Sequence, residues 1–151
     1  MKRSGVATVV ALALGVAAGA VFAQAKPEQL VKQRQAVMTL QGKYFGPLAA
    51  MAQGKAPYNA DIVRRNAAYL DNLSRMAWDG FDAGTKGVKS AALPAIYEQP
   101  DKFKEAQSRL ENEAHKLYEV SRSGDEAAVK AQIGAVGKSC GGCHESFREK
   151  Q

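Results

Sequence analysis

Past the first two dozen residues, apolar side chains recur at steps of three and four in four separate stretches. No segment alternates convincingly with the period of two that a half-buried strand needs. The first stretch covers about residues 27–53. Pro27 suits an opening helical turn, where its missing N–H is not needed. Leu30, Val37, Tyr44, Leu48 and Met51 form its stripe. Arg34 and Gln41 fall within the same stripe, an odd choice for a buried seam, and Gly46-Pro47 is expected to kink or shorten the helix. The second stretch covers about residues 59–77, with Asn59 as N-cap and Ile62, Asn66, Tyr69, Leu73 and Met76 inward. The third covers about residues 100–123, with Phe103, Ala106, Leu110, Ala114, Leu117 and Val120 or Ser121 inward, and Ser123-Gly124 stops it. The fourth starts at Asp125, another N-cap candidate. Its stripe of Val129, Ile133, Val136, Cys140, Cys143 and Phe147 keeps heptad spacing without a break.

The links between the first and second stretches and between the third and fourth are short, which makes consecutive helices antiparallel neighbours. That is the pattern of an all-α, up-down antiparallel four-helix bundle. Residues 78–100 form a longer link, rich in glycine. A loop of that length is expected to carry a function or a turn of its own, and "LPAIYEQP" (residues 93–100) is the candidate turn.

The amino terminus follows another logic. Lys2 and Arg3 precede a run without charge from Val6 to Phe22, and small residues follow. This is the plan of a secretory signal peptide, residues 1–23, with cleavage after Ala23 or alternatively Ala25. The run is short and rich in Ala and Gly for a membrane span. The expected product is residues 24–151, exported to a bacterial periplasm with no membrane attachment after cleavage. The formal charge of +6 includes the two cations of the signal. The remaining charges are interspersed, without the runs that mark a nucleic-acid partner. A mildly basic surface suits an acidic redox partner protein. No nucleophile–base pair or carboxylate dyad stands out, so an enzyme acting on an organic substrate is not expected.

The two cysteines of the chain fall within "SCGGCHESFREK" (residues 139–150), beside one of its two histidines. A disulfide across so tight a spacing closes a tiny loop and stabilises little. Three chemistries compete for the motif. A zinc site wants about four ligands, whereas Cys140, Cys143 and His144 supply three, and the other histidine, His115, lies beside the third stripe. A thioredoxin-like pair wants a βαβ context that this chain does not offer. Cys-x-x-Cys-His is also the attachment motif of c-type haem, in which two thiols add to the haem vinyl groups and the imidazole binds iron. Export, helical context and an inward face favour haem.

The whole chain after the signal resembles cytochrome c′, the class II c-type cytochromes. The resemblance rests on "AKPEQLVKQRQAVMTL" (residues 25–40), "GKAPYNAD" (residues 54–61) and "GKSCGGCHESFREK" (residues 137–150), with the haem motif close to the carboxyl terminus. It implies one haem c, attached through Cys140 and Cys143, with His144 as axial iron ligand. Arg34 would pair with a haem propionate, and Arg148, four residues after His144 on one helix face, would flank the proximal histidine. Methionine fills the sixth position of many electron-carrying cytochromes, and after the signal the chain has Met38, Met51 and Met76. Met38 shares a helix face with Arg34 and Phe45, and the resemblance puts it where cytochromes c′ carry a bulky apolar residue that does not bind iron. The expectation is five-coordinate iron in an apolar pocket that favours nitric oxide and carbon monoxide and takes part in electron transfer. The alternative is a six-coordinate low-spin electron carrier with Met38 as second axial ligand. The resemblance also implies a homodimer through the first two helices, with which exposed apolar residues such as Leu40 and Leu48 would be compatible. Trp78 reads as loop packing and His115 as a surface histidine.

Overall fold

The protein is described by a computed structural model over residues 25–150. The helices among these residues are α1 (Pro27–Ala52), α2 (Ala60–Leu73), α3 (Ala95–Glu98), α4 (Pro100–Val120) and α5 (Glu126–Phe147). The four long helices form the expected bundle. Contacts run α1 to α2, α2 to α4, α4 to α5 and α5 back to α1, closing a ring around one core. Among the described residues no helix is long and apolar enough to cross a membrane.

Local sequence sets the ends. The Asn59 side chain accepts from Ile62 N at 3.0 Å, and the Asp125 carboxylate accepts from Ala128 N at 3.0 Å, each satisfying one orphan donor of a first turn. Gly54 follows the C-cap of α1 with φ 72°, a left-handed conformation that glycine adopts without steric cost. Pro47 lies inside α1 and does not shorten it; the helix runs on to Ala52.

The core holds Leu48, Leu117, Ile133, Val63, Val129 and Val136, all fully buried. Two expectations change here. Leu48, paired with Leu40 as a candidate for the dimer face, is 0% exposed and belongs to the core, while Leu40 is exposed. The second helix buries Val63, Asn66, Ala67 and Leu70 and ends at Leu73, short of residue 77. Tyr69 and Met76, expected inward, are exposed. The inward face is turned about one residue from the expected one. Small Ala67 lies on it, and smallness is what lets neighbouring helices approach closely.

Polar members of the stripes act as pins between helices. Gln41 Nε2 donates to Leu73 O at 2.9 Å, and Asn66 Nδ2 donates to Tyr44 O at 3.0 Å, so α1 and α2 are tied at both levels. Gln132 Nε2 donates to Glu113 O at 3.0 Å between α5 and α4. Each pin satisfies a buried carbonyl or amide that would otherwise be costly.

The long link is ordered. Two short 3₁₀ turns, Trp78–Phe81 and Ala83–Thr85, precede α3, which is the expected turn within residues 93–100. The link is held from two sides, by Arg34 of α1 and by the residues that follow α5.

Candidate functional site

A cavity of about 510 Å³ lies between α1, α4, α5 and the link, within the range of about 300–1,000 Å³ common to cofactor sites. Cys140, Cys143, His144 and Arg148 line it from α5 and its C-cap. Arg34, Met38 and Phe45 line it from α1. All six residues expected from the sequence therefore meet at one cavity, although Arg34 and Arg148 lie more than a hundred positions apart in the chain.

Heptad spacing explains how α5 delivers the motif. Cys140 and Cys143 continue the stripe of Ile133 and Val136, and the next position inward is Phe147, which is buried. Burial pushes the Cys140 thiol up, and it raises that of Cys143 to about 11, with Cys140 beside it as the second cause. Both sulfurs are therefore protonated thiols near neutrality. His144, one turn beyond Cys140, stands exposed at the rim of the same cavity. Partial desolvation lowers its imidazole pKa, and the Arg148 cation lowers it further. Both effects favour the neutral ring, the form that binds a metal. Among the described residues no group of three or more His, Cys, Asp or Glu side chains is arranged to hold a metal ion. A zinc site built from protein ligands alone lacks its ligand set there.

Arg34 is 4% exposed. It donates from Nη1 to the Gly80 carbonyl and to Thr85 Oγ1 at 3.2 Å, and from Nη2 to Ser90 Oγ at 2.8 Å. Its Cζ lies 4.4 Å from the centroid of the Phe81 ring. The arginine that looked misplaced on an apolar stripe is the anchor of the long link. At the other end of the link, Leu93 N donates to Phe147 O at 3.0 Å and Glu149 N to Ala91 O at 2.9 Å, flanking an antiparallel bridge between Ala92 and Arg148. The backbone N–H of Arg148 also donates to His144 O at 3.1 Å. The segment after His144 and the link thus fix each other.

The wall contains aromatic residues that sequence reasoning passed over or assigned to packing. Phe81 stands 5.0 Å from Phe103, and Phe103 stands 5.2 Å from Phe147, between ring centroids and edge to face. Trp78 meets Phe103 at 6.2 Å. Trp78 lines the cavity, and its Nε1 is buried without a hydrogen-bond partner among the described residues. The signal in the sequence was Trp-x-x-Phe inside a glycine-rich link. His115 is the surface residue expected, with Nδ1 3.2 Å from Asp71 Oδ2.

An apolar slot with two thiols, an imidazole, two guanidinium groups and an unpaired N–H donor suits a flat, largely apolar group that bears anionic substituents. Haem c has that character.

Comparison with known proteins agrees. The sequence model of the family described as Cytochrome C' matches residues 29–148. Cytochrome c′ of Rubrivivax gelatinosus is 39% identical over 126 residues, covering 83% of this chain and 98% of the relative. Among solved structures, the nitric oxide complex of a leucine-to-isoleucine variant of cytochrome c prime from Alcaligenes xylosoxidans matches with TM-score 0.77. It has 36% identity and covers 83% of this chain and 98% of that one. A carbon monoxide-bound leucine-to-glycine variant from the same organism matches with TM-score 0.77, 36% identity and the same coverage.

Proposed function

The chain belongs to the cytochrome c′ family, and from that premise we propose that it is an exported haem c protein whose five-coordinate iron binds nitric oxide and carbon monoxide. In this reading Cys140 and Cys143 form the two thioether links and His144 is the axial ligand. When bound, the haem supplies an iron centre for gas binding and for one-electron exchange with a partner protein.

The observation that carries the reading is the pairing across the cavity. The thiols and imidazole of α5 share the cavity with Met38 and Phe45 of α1, which supply the apolar part of a face that also carries Gln35, Thr39 and Gln41. Met38 would shield the iron's open side without binding it. The Met38 and Phe45 side chains offer bound oxygen no hydrogen bond, and a gas site against them favours nitric oxide and carbon monoxide. Nitric oxide and carbon monoxide are bound in variants of the similar Alcaligenes protein, each altered at one leucine. Arg34 contributes positive charge toward a haem carboxylate while holding the link. Arg148, bridged to Ala92, keeps a cation beside His144 and the proximal face.

Residues 1–23 act as the export signal, and residues 24–151 work in the periplasm. Leu40 of α1 and Tyr69 of α2 are exposed and supply apolar surface for a homodimer through these two helices.

The test is the absorption spectrum of the purified protein with and without carbon monoxide. High-spin ferric bands and prompt carbon monoxide binding to the reduced protein are expected. A low-spin spectrum with a sulfur-to-iron band in the far red, unchanged by carbon monoxide, would show Met38 on the iron and overturn the five-coordinate reading.

A further inference from the structure

Two buried groups in the cavity lack the same kind of partner. The Trp78 indole Nε1 has no hydrogen-bond acceptor among the described residues. Native interiors retain few such groups. Arg34, itself buried, receives only neutral partners: the Gly80 carbonyl, the Thr85 and Ser90 hydroxyls, and the face of Phe81. No ion pair among the described residues includes it. A buried cation calls for a counter-charge. Phe81 sits next to both groups, its ring centroid 6.2 Å from that of Trp78 and 4.4 Å from Arg34 Cζ. The ionisable side chains that line the cavity are Arg34, Arg148, His144 and the two cysteine thiols, with no aspartate or glutamate. An anion with acceptor oxygens would satisfy the indole and the guanidinium together.

We infer that Trp78 donates its Nε1–H to a carboxylate of the bound haem, the carboxylate that also neutralises Arg34. The inference rests on the haem reading and deepens it. Trp78 and Gly80 share one 3₁₀ turn, and Arg34 bonds the Gly80 carbonyl. The contact that docks the link on α1 therefore also aims the indole. Trp78 is a positioning residue for the cofactor, holding one edge of it while the thioethers hold another.

The chain contains a single tryptophan, so one indole signal reports on the site. The haem-loaded, ¹⁵N-labelled protein is reduced under carbon monoxide, which keeps it diamagnetic, and its indole cross-peak is followed with pH. The expected signal exchanges slowly with solvent and moves with a single inflection as the carboxylate is protonated. In Trp78→Phe, the carboxylate bending band of the resonance Raman spectrum is expected to shift while the iron–histidine stretch of the reduced, gas-free protein stays in place. An indole that exchanges like an exposed one, or shows no inflection, overturns the inference. So does an unmoved bending band in the haem-loaded variant. If that variant does not load haem, the wild-type titration alone decides. A wild-type chain that carries no covalent haem after acid extraction overturns the haem reading and this inference together. A haem-loaded chain with an indifferent indole overturns this inference alone.

Discussion

Gly80 packs the long link directly against α1, and replacing it with alanine tests the account of how the site is held. A Cβ added there would lie 2.5 Å from Arg34 Cβ and 2.8 Å from the Leu30 carbonyl oxygen. Both neighbours are fixed by the α1 backbone and cannot swing aside as the tip of a side chain would. To reach ordinary contact near 3.4 Å the link must retreat by about 1 Å. Overpacking of this kind costs about 1–3 kcal/mol. The same movement pulls the Gly80 carbonyl from Arg34, a bond to a charged group worth about 1.5–3 kcal/mol. The expected loss is roughly 2.5–6 kcal/mol, a large part of the ~5–15 kcal/mol that stabilises an ordinary domain. Gly87 lies in the same link with nothing within 4 Å of an added Cβ, and its φ is not positive. Gly87→Ala should therefore be neutral or gain up to about 1 kcal/mol by restricting the unfolded chain. The assay is urea unfolding of the two haem-loaded variants, with the slope checked so that the midpoints compare stability. Midpoints that place Gly80→Ala within about 0.5 kcal/mol of Gly87→Ala would refute the claim that Arg34 and Gly80 clamp the link.

Met38→Ala should speed carbon monoxide association with the reduced protein by about tenfold or more, equivalent to about 1.4 kcal/mol off the barrier, as measured by flash photolysis; an unchanged rate would mean Met38 does not limit access. Cys143→Ala should keep haem through Cys140 with a red-shifted pyridine haemochrome band, whereas replacing both cysteines should release all haem into acidified acetone. Retention of haem by the double variant would contradict thioether attachment. Leu40→Glu combined with Tyr69→Arg should convert a dimer to monomer in sedimentation velocity without changing the haem spectrum. A dimer that survives both substitutions would place its interface elsewhere.

Long, strongly patterned segments were legible, and the reason shows in α5. Its large apolar residues repeat every three or four positions through to Phe147, so the periodicity and the orientation of Cys140 and Cys143 were one observation. The second helix was less legible because large residues drew the eye to Ile62, Tyr69 and Met76. Burial there depends on what packs against the helix, and Ala67 is fully buried while Met76 is not. Arg34 illustrates a different limit. Its position on the stripe said that it was buried, but the groups that compensate it come from residues 80, 85 and 90. Nothing in a helical period can point to partners in a link whose path is set by three-dimensional closure. The same holds for Trp78, whose sequence context was a loop and whose side chain lines the cavity.

These two kinds of information divide the site along a physical line. The residues proposed for covalent and axial chemistry sit on one regular helix, so their spacing had to appear in the sequence. The electrostatic part, Arg34 with the link it anchors, comes from elements remote in the chain, and it carries the positive charge that no acidic side chain in the cavity offsets. Met38 stands one turn from Arg34 on the same face of α1, where residues four apart are ~5–6 Å apart at Cβ. Met38 and the buried cation are thus neighbours, and the link that Arg34 holds also reaches Arg148 through Ala92. A change in the link therefore reaches both faces of the site at once. For that reason residues 78–94, silent in any motif, bear on the proposed haem site together with the motif on α5.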